Sequence, residues 1–358
     1  MRLCLILFML ATPSWGAYGK KIPLTIQSGK VSGGPHTNYT FYVDITVNDL
    51  RHTGSSGFVT STNGYDLVPS QDSDCSTKLN FKRELYVSST GRIVLYGLKS
   101  SFAQTDTIWI CFADSGVTTD QQNATAAYDS NHIAVYHFPD GTTLSGNDAT
   151  SNAHNLTLNS LTATDGRIGT GGAFGNGSGT FYANVASTSA LNVTAPITIE
   201  GWLYTDAVIN GLSFLHKGTG SQYRYFLGTY SSGKANCQLM DNTSGYVMFL
   251  VSTNSIPVNT WTHVACTCNG TTGYLYINGV QEATAACSSA NNGGAASDLK
   301  VGYSSYDSKW DDIKLHNTAR SVGWILTEVN LNSQSTFWTV GATQDNVSLS
   351  KRRLIIVQ

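Results

Sequence analysis

The chain has few charged residues for its length. Lys, Arg, Asp and Glu make up 12% of its 358 residues, and the formal net charge is −2. Without a surplus of either sign, the chain offers no extended electrostatic field of the kind that binds nucleic acid or anionic membranes. We therefore expect neither as a partner.

Long apolar runs are also scarce. The chain opens MRLCLILFMLATPSWGA, in which Arg2 precedes an apolar run from Leu3 to Ala11 and small residues follow Pro13. This run is shorter than the ~20 residues that span a bilayer, and a basic start with a small-residue end is typical of a cleaved secretory signal. The alternative is a buried N-terminal strand. We predict a signal peptide over residues 1–17, a secreted or cell-surface location and no transmembrane span.

Cysteine is infrequent too, with seven in the chain and six once Cys4 leaves with the signal. An even number in an exported protein favours disulfide bonds, although zinc remains an alternative because His263 lies close to the pair Cys266 and Cys268. The alternating pattern of THVACTC places both cysteines on one face of a strand. Their α-carbons are then ~7 Å apart, too far for a bond between them.

What the chain does contain is short aromatic and β-branched runs separated by Ser, Thr, Asn and Gly. This composition predicts many strands joined by tight turns, and the polar segment 114–131 separates two such series. Helical spacing occurs only at 319–330, with Val322, Ile325, Leu326 and Val329 on one stripe. We predict an all-β chain of two β-sandwich or jelly-roll domains in series with one short C-terminal helix.

The two series resemble two known families. The first, on the pieces YGKKIPLTI, NGYDLVPSQDSDCSTKL, TDTIWICFADSG and TTDQQNATAAYDSN, resembles the domain-of-unknown-function family DUF2341. The second, on VYHFPDG, GRIGTGGAF, ITIEGWLY, WTHVACTCNGTTGYLYINGVQEAT and WDDIKLHNTARSVGWILTEVN, resembles a LamG-like, concanavalin A-like jelly roll. The expected organisation is a DUF2341-like domain at 18–131, a LamG-like domain at 132–343 and a C-terminal tail at 344–358.

This division also limits the disulfide pairing. We expect Cys75 to pair with Cys111 in the first domain. The other four cysteines should form up to two bridges in the second, with Cys266 or Cys268 meeting a partner from an adjacent strand, and that partner is Cys237 or Cys287.

The second resemblance implies a structural calcium ion. In such jelly rolls a loop near the first strand and a strand near the last bring acidic ligands together. The loop DATSNAHNL places Asp148 there, and the strand WDDIKLHN places Asp311 with Asp312 beside it. Calcium takes six to eight oxygen ligands, so backbone carbonyls would complete the set. The alternative is that Asp148 caps a turn and Asp311 is a solvated strand-end residue.

No catalytic constellation is visible. Glycoside hydrolysis needs two facing carboxyl groups, but Glu200 stands alone, and the adjacent Asp311 and Asp312 would point to opposite faces of a regular strand. No nucleophile motif such as GxSxG occurs. We therefore expect a protein that is not an enzyme, with a glycoside hydrolase as the less favoured alternative.

Binding remains, in two forms. The first is carbohydrate recognition or adhesion through glycans or surface polysaccharide, because exposed aromatic rings can stack on sugars. The candidate ligand-binding residues are Tyr303, Tyr306, Trp310, Tyr223 and Tyr225. The second is a structural spacer or assembly module of a cell-surface or virion-associated protein, in which self-association replaces a small ligand.

Overall fold

The computed structural model describes residues 18–139, 143–169, 171–175, 181–219, 222–304 and 306–346. The predicted signal peptide at 1–17 and most of the predicted tail, from residue 347 onward, lie outside the described residues. Across the described ranges, no helix is both long enough and apolar enough to cross a membrane.

Strands are the main regular structure of the described residues, which confirms the predicted all-β class. We call residues 18–131 the first segment and residues 132–346 the second segment. The first segment contains β1 Lys20–Ile26, β2 His36–Thr46, β3 Val68–Ser70, β4 Asn80–Val87, β5 Arg92–Phe102 and β6 Thr107–Phe112. The second contains β7 His132–Tyr136, β8 Thr157–Asn159, β9 Thr162–Thr164, β10 Gly172–Gly175, β11 Phe181–Val185, β12 Ile197–Thr205, β13 Ser213–Thr219, β14 Gln222–Thr229, β15 Lys234–Met240, β16 Tyr246–Ser255, β17 Thr262–Cys268, β18 Thr272–Ile277, β19 Val280–Ala286, β20 Leu299–Ser304, β21 Ser308–His316, β22 Trp338–Val340 and β23 Gln344–Asp345.

Helices are short and few in the described ranges. The predicted helix is present as α1 Val322–Leu331, and the side chain of Ser321 caps it by accepting a hydrogen bond from the Trp324 N–H. The helix α2 Gln334–Phe337 follows at once. Single 3₁₀ turns lie at Asn48–Leu50, Thr53–Ser55, Ala124–Ala127, Ser189–Leu191 and Ser231–Gly233.

The first segment forms two antiparallel sheets. A three-stranded sheet has the order β2-β5-β4, and a five-stranded sheet has the order β22-β1-β6-β3 with β23 also paired to β1. Leu24 faces Val340 and Ile26 faces Trp338 across the β1–β22 ladder. The last described strands of the chain therefore complete its first sheet.

The second segment is a sandwich of two large sheets. The eight-stranded sheet has the order β19-β18-β17-β12-β21-β10-β9 with β7 beside β21, and the seven-stranded sheet has the order β16-β15-β14-β13-β20-β11-β8. One hydrophobic cluster fills the space between them, and it includes Phe181, Phe214, Leu227, Val264 and Trp310. The inner faces of both sheets are thus buried against each other.

Three disulfide bonds confirm the predicted pairing by segment. They join Cys75 to Cys111, Cys237 to Cys266 and Cys268 to Cys287. Both Cys266 and Cys268 face the sandwich core, as the period-two pattern predicts. The partners are the two that were expected, Cys237 and Cys287. Their expected location on an adjacent strand is wrong, because β15 with Cys237 belongs to the facing sheet and Cys287 follows β19, two strands from β17.

The two segments share a hydrophobic cluster. The outer face of the eight-stranded sheet contributes Trp202, Ala265 and Tyr276 to the same buried cluster as Phe41 and Tyr96 of the three-stranded sheet. Within the predicted linker, Ala127 and Tyr128 are buried, whereas residues 115–120 are mostly exposed. The division at 131 stays a prediction, and the shared cluster adds a large contact across it.

We expect a protease of broad specificity to cut first within residues 115–120, because this stretch is polar and exposed. The two fragments should stay together under native conditions, because β22, β23 and the shared cluster hold them. Size-exclusion chromatography of the nicked protein should give one peak that separates only in denaturant. Two peaks in native buffer would instead show that the segments are independent domains.

Candidate functional site

The strand register sorts the seven-stranded sheet into an inner and an outer face. Val301, Leu215, Leu227, Cys237 and Leu250 follow one another as cross-strand partners, and all five lie in the sandwich core. Because side chains alternate along a strand, the row one residue away must point outward. That outer row consists of Asn184, Lys300, His216, Phe226, Gln238 and Phe249.

Aromatic rings collect around this outer row. We call the set the aromatic face and define it by Tyr182, His216, Tyr223, Phe226, Tyr230, Tyr246, Phe249 and Tyr303 together with Lys300. The ring of Tyr303 lies 5.6 Å from that of Tyr182 and 5.9 Å from that of His216 between centroids. Each ring is therefore supported by its neighbours at distances that favour aromatic contact.

A second group of rings lies at the β16 edge of the same face. The Phe249 ring is 4.9 Å from the Tyr246 ring and 5.8 Å from the Tyr230 ring. These side chains are well exposed, at 37% for Phe249, 58% for Tyr246 and 47% for Tyr230. Strand β15 with Gln238 separates this group from Phe226, so two aromatic platforms flank a polar strip on one sheet.

Lys300 provides a positive charge on the aromatic face. Its Nζ atom lies 5.1 Å from the Tyr182 ring centroid and 4.8 Å from the Tyr303 ring centroid. A cation at these distances is attracted to the electron-rich ring faces, which holds the lysine stem along the rings. The face thus combines exposed rings, an amide and a fixed ammonium group.

The structure brings only part of the predicted ligand-binding set together. Tyr223 and Tyr303 lie on the aromatic face, and Tyr306 is exposed just beyond the end of β20. Trp310 and Tyr225 are fully buried in the sandwich core, so their prediction as ligand contacts is wrong. A buried ring has no free face on which a sugar can stack.

Local backbone geometry explains both corrections. Lys217 faces Tyr225 and Gly218 faces Tyr223, so Arg224 is an extra residue that places the two tyrosines on opposite sides of β14. Trp310 packs over Gly302, where an added Cβ would lie 2.7 Å from the indole ring. Cross-strand partners fix these features, and the local sequence pattern does not show them.

Several residues of the aromatic face were not predicted from the sequence, namely Tyr182, His216, Phe226, Tyr230, Tyr246, Phe249 and Lys300. In strands such as GYVMFLVST the outward Phe249 is flanked by apolar residues that point inward, so no clean alternation marks it. A register-based pairing of KVGY with LHKG would have been needed to find the outer row.

Asp148 occupies a turn and its carboxylate is fully hydrogen-bonded. Oδ1 accepts from the backbone N–H groups of Val135 and Thr150 at 3.0 Å each, and Oδ2 accepts from the Thr150 hydroxyl and the His154 N–H at 2.9 Å each. This arrangement matches the turn-capping alternative. A calcium ion at Asp148 would compete with these donors.

Asp311 and Asp312 lie side by side on the outer face of the eight-stranded sheet. Trp202 faces Asp311 and Glu200 faces Lys314, so two residues of β21 oppose Gly201 alone. Asp312, with φ of 48°, is the bulged position. The expectation that the two carboxylates point to opposite faces is therefore wrong. The alternative that Asp311 is a solvated strand-end residue is also wrong, because the side chains of Asp311 and Asp312 are both buried.

The partners of these two carboxylates come from the protein itself. Asp311 Oδ2 accepts from the backbone N–H groups of Arg167 and Ile168 at 2.6 Å each. Asp312 Oδ2 lies 2.8 Å from Lys314 Nζ, and its Oδ1 lies 3.0 Å from His137 Nδ1. Among the described residues there is no group of three or more His, Cys, Asp or Glu side chains placed to hold a metal ion.

Asp312 belongs to a larger set of buried charges between the two segments. We call it the buried ionic cluster and define it by Asp129, His132, His137, Glu200, His263, Asp312, Lys314, His316, Arg320 and Glu328. Glu200 lies 2.9 Å from His316 Nε2, and Asp129 lies 2.6 Å from His132 Nδ1. All ten side chains are partly or fully withdrawn from water, so each charge depends on a partner inside the protein.

Burial sets the ionisation of the cluster. It lowers the pKa of His137 and His263 to about 4. A neighbouring carboxylate opposes each shift, Asp312 for His137 and Glu200 for His263. It also lowers the pKa of His316 well below its usual value. Burial raises the pKa of Glu328 to about 7, with Lys314 opposing the shift. These histidines are therefore neutral near pH 7.

One known family matches part of the second segment. Residues 176–326 match the Laminin_G_3 family, described as the concanavalin A-like lectin/glucanases superfamily. A comparison with curated proteins finds no match.

Three solved structures show the extent of structural similarity. The binding domain of Paraclostridial Mosquitocidal Protein 1 is 14% identical, with a TM-score of 0.47 over 56% of this chain and 52% of that one. Domain 4 of an extracellular GH43 arabinanase from Geobacillus stearothermophilus, solved with arabinotriose, is 16% identical, with a TM-score of 0.42 over 56% of this chain and 98% of that one. The binding domain of botulinum neurotoxin serotype G is 14% identical, with a TM-score of 0.44 over 57% of this chain and 52% of that one. The chain thus spans about half the length of the first and third.

Calcium binding stays a prediction with a direct test. If calcium binds at Asp148 and Asp311, a concentration 100 times its Kd should stabilise the fold by ~2.7 kcal/mol, and Asp148→Ala should abolish the response. Melting curves in calcium and in chelator measure this. Asp241→Ala is the matched control, because Asp241 likewise caps a turn, where its Oδ1 accepts three hydrogen bonds. Identical curves for the unmodified protein would leave Asp148 as a turn cap only.

Acid should destabilise the fold between pH 6.5 and 4. Because the folded-state pKa of His137 and His263 lies below the unfolded value, the unfolded chain binds more protons in this range. Protonation of each of the two histidines should lower the free energy of unfolding by about 3 kcal/mol on going from pH 7 to pH 4, while Glu328, with a shift of similar size in the other direction, offsets about one of them. Urea unfolding at pH 7.5, 6 and 4.5 would show a falling midpoint. A midpoint that is constant or rises in acid would contradict the burial of neutral histidines.

Proposed function

We propose that the protein is a non-catalytic, extracellular glycan-binding module whose ligand lies on the aromatic face of the seven-stranded sheet. One observation carries the proposal. Rings on neighbouring strands are exposed on one side of a rigid sheet, beside the amide of Gln238 and the ammonium group of Lys300.

The chemistry of this face suits sugars. Exposed rings can stack on the C–H surfaces of a pyranose, while amide and ammonium groups donate hydrogen bonds to its hydroxyl groups. Strands β15, β14 and β13 lie between β16 with Phe249 and β20 with Tyr303, so these two exposed rings are about 19 Å apart across four strand spacings. A chain of several sugar units fits this spacing better than a single unit does.

Further features support the extracellular, non-catalytic part of the proposal. The three disulfides fit an oxidising compartment. The carboxylates Glu200, Asp311 and Asp312 are buried beneath the first segment, where a polysaccharide has no access. The family matched at residues 176–326 has both lectins and glucanases in its description, which supports a carbohydrate ligand and is neutral on catalysis. The first segment is proposed as DUF2341-like on the motifs quoted above.

A spacer or assembly role is the second candidate. The observation that favours it is the closure of the first sheet by β22 and β23, which ties the end of the described chain to its beginning. A protein joined in this way is a stiff unit, and its exposed rings would then serve self-association.

A glycan array followed by titration tests the first candidate. We expect retained oligosaccharides whose affinity falls roughly tenfold in Tyr303→Ala and in Phe249→Ala, because each variant removes one stacking ring. Phe58→Ala is the matched control. Phe58 is 40% exposed, as Tyr303 is, and it also lies beneath a lysine, but it belongs to the first segment.

The same experiment separates the candidates. Equal affinity of Tyr303→Ala, Phe249→Ala and Phe58→Ala for a retained glycan would place the ligand elsewhere. No retained glycan, together with self-association that Phe249→Ala abolishes, would favour the assembly role.

A further inference from the structure

Lys314 lies between two carboxyl groups in the interior of the protein. Its Nζ atom is 2.8 Å from Asp312 Oδ2 and 3.0 Å from Glu328 Oε2. The residues come from different elements, because Lys314 and Asp312 are on β21 and Glu328 is on α1. The amine is therefore in contact with a carboxyl group of a second element, which is the proximity that a bond-forming step requires.

The three groups are withdrawn from bulk solvent. The side chains of Asp312, Lys314 and Glu328 are 4%, 9% and 7% exposed. Around them lie Tyr42, Tyr96, Tyr128, Ile168 and Leu331, which line a closed cavity of about 10 Å³ together with Thr40, Asn332 and the three groups themselves. A space of this size holds about one water molecule.

The two carboxyl groups differ in their freedom to react. Asp312 is two residues from Lys314 on the same strand, and its second oxygen lies against His137, so its position is fixed. Glu328 meets Lys314 across the strand–helix contact, and burial raises its pKa to about 7, which populates the neutral acid. Glu328 is thus the electrophile and Asp312 the base.

We propose that Lys314 and Glu328 condense to an intramolecular isopeptide bond that joins β21 to α1. The Lys314 Nζ atom bonds to Glu328 Cδ, and one Cδ–O bond breaks. One ammonium proton passes to Asp312 Oδ2, and a second leaves with the Glu328 hydroxyl group as water. The products are an amide, one water molecule and a protonated Asp312 that donates a hydrogen bond to the amide oxygen. No oxidant or cofactor enters the step.

The buried environment favours the amide. An ion in the protein interior costs several kcal/mol of lost hydration, and condensation replaces a buried ion pair by a neutral group. The cavity beside the three groups accommodates the departing water. The reaction is needed once per molecule, so it can be slow and still reach completion.

Peptide mapping of the reduced, alkylated wild-type chain tests the proposal. Trypsin does not cut after an acylated lysine, so residues 310–320 should appear joined to residues 321–351, with the combined mass reduced by one water. Free peptides 310–314 and 315–320 in full yield would overturn the proposal, and this result does not depend on any variant.

Variants identify the chemistry. The intact mass of the Lys314→Arg variant should exceed that of the wild type by the difference between the two side chains plus one water molecule. The reason is that a guanidinium group keeps the positive charge but does not condense with a carboxyl group. Glu328→Gln should lose ammonia and give the wild-type product. Asp312→Asn should leave Lys314 and Glu328 unlinked, with circular dichroism showing that the fold is kept. A link that persists in Asp312→Asn would exclude Asp312 as the base.

Discussion

The structure depends on the burial of the outer face of the eight-stranded sheet. That face carries Glu200, His263, Asp312, Lys314 and His316, which would be ordinary surface residues if water reached them. The first segment and α1 cover them, so each charged or polar group must find a partner within the protein. The buried ionic cluster is the result, and it makes the fit between the two segments specific, because an unpaired buried charge is costly.

The two faces of the sandwich consequently have different roles. The covered face contains the ionic cluster and Trp202, and it supports the contact with the first segment. The uncovered face of the seven-stranded sheet contains the exposed rings of Tyr303, Tyr246 and Phe249. Both faces are built from the same alternation of side chains along strands, and what differs is whether another element lies on top. The proposed glycan site therefore lies on the face of the seven-stranded sheet.

Covalent links reinforce this arrangement at different points. Cys237–Cys266 joins the two sheets through the core, whereas Cys268–Cys287 closes the β17–β19 meander within one sheet. Both disulfides stabilise the fold mainly by lowering the conformational entropy of the unfolded chain. A Lys314–Glu328 amide would add a third kind of link, between the covered sheet and α1, where the disulfides do not reach.

The sequence alone determines the strands and the faces that period-two alternation defines. The run KKIPLTI coincides with β1, the helix expected at 319–330 is present as α1, and Cys266 and Cys268 share a buried face, because these features follow from local propensity and spacing. The expected apolar stripe is not the buried face of α1, since Val322 is 51% exposed whereas Trp324 and Leu331 are buried. Tertiary structure decided the rest. The bulges at Asp312 and Arg224 reverse the alternation, since a bulge is set by the partner strand and leaves no local signature. Likewise, whether Trp310 is a ligand platform or a core residue depends on what packs over it. That neighbour is Gly302, and it meets Trp310 because β20 and β21 belong to the two facing sheets of the sandwich.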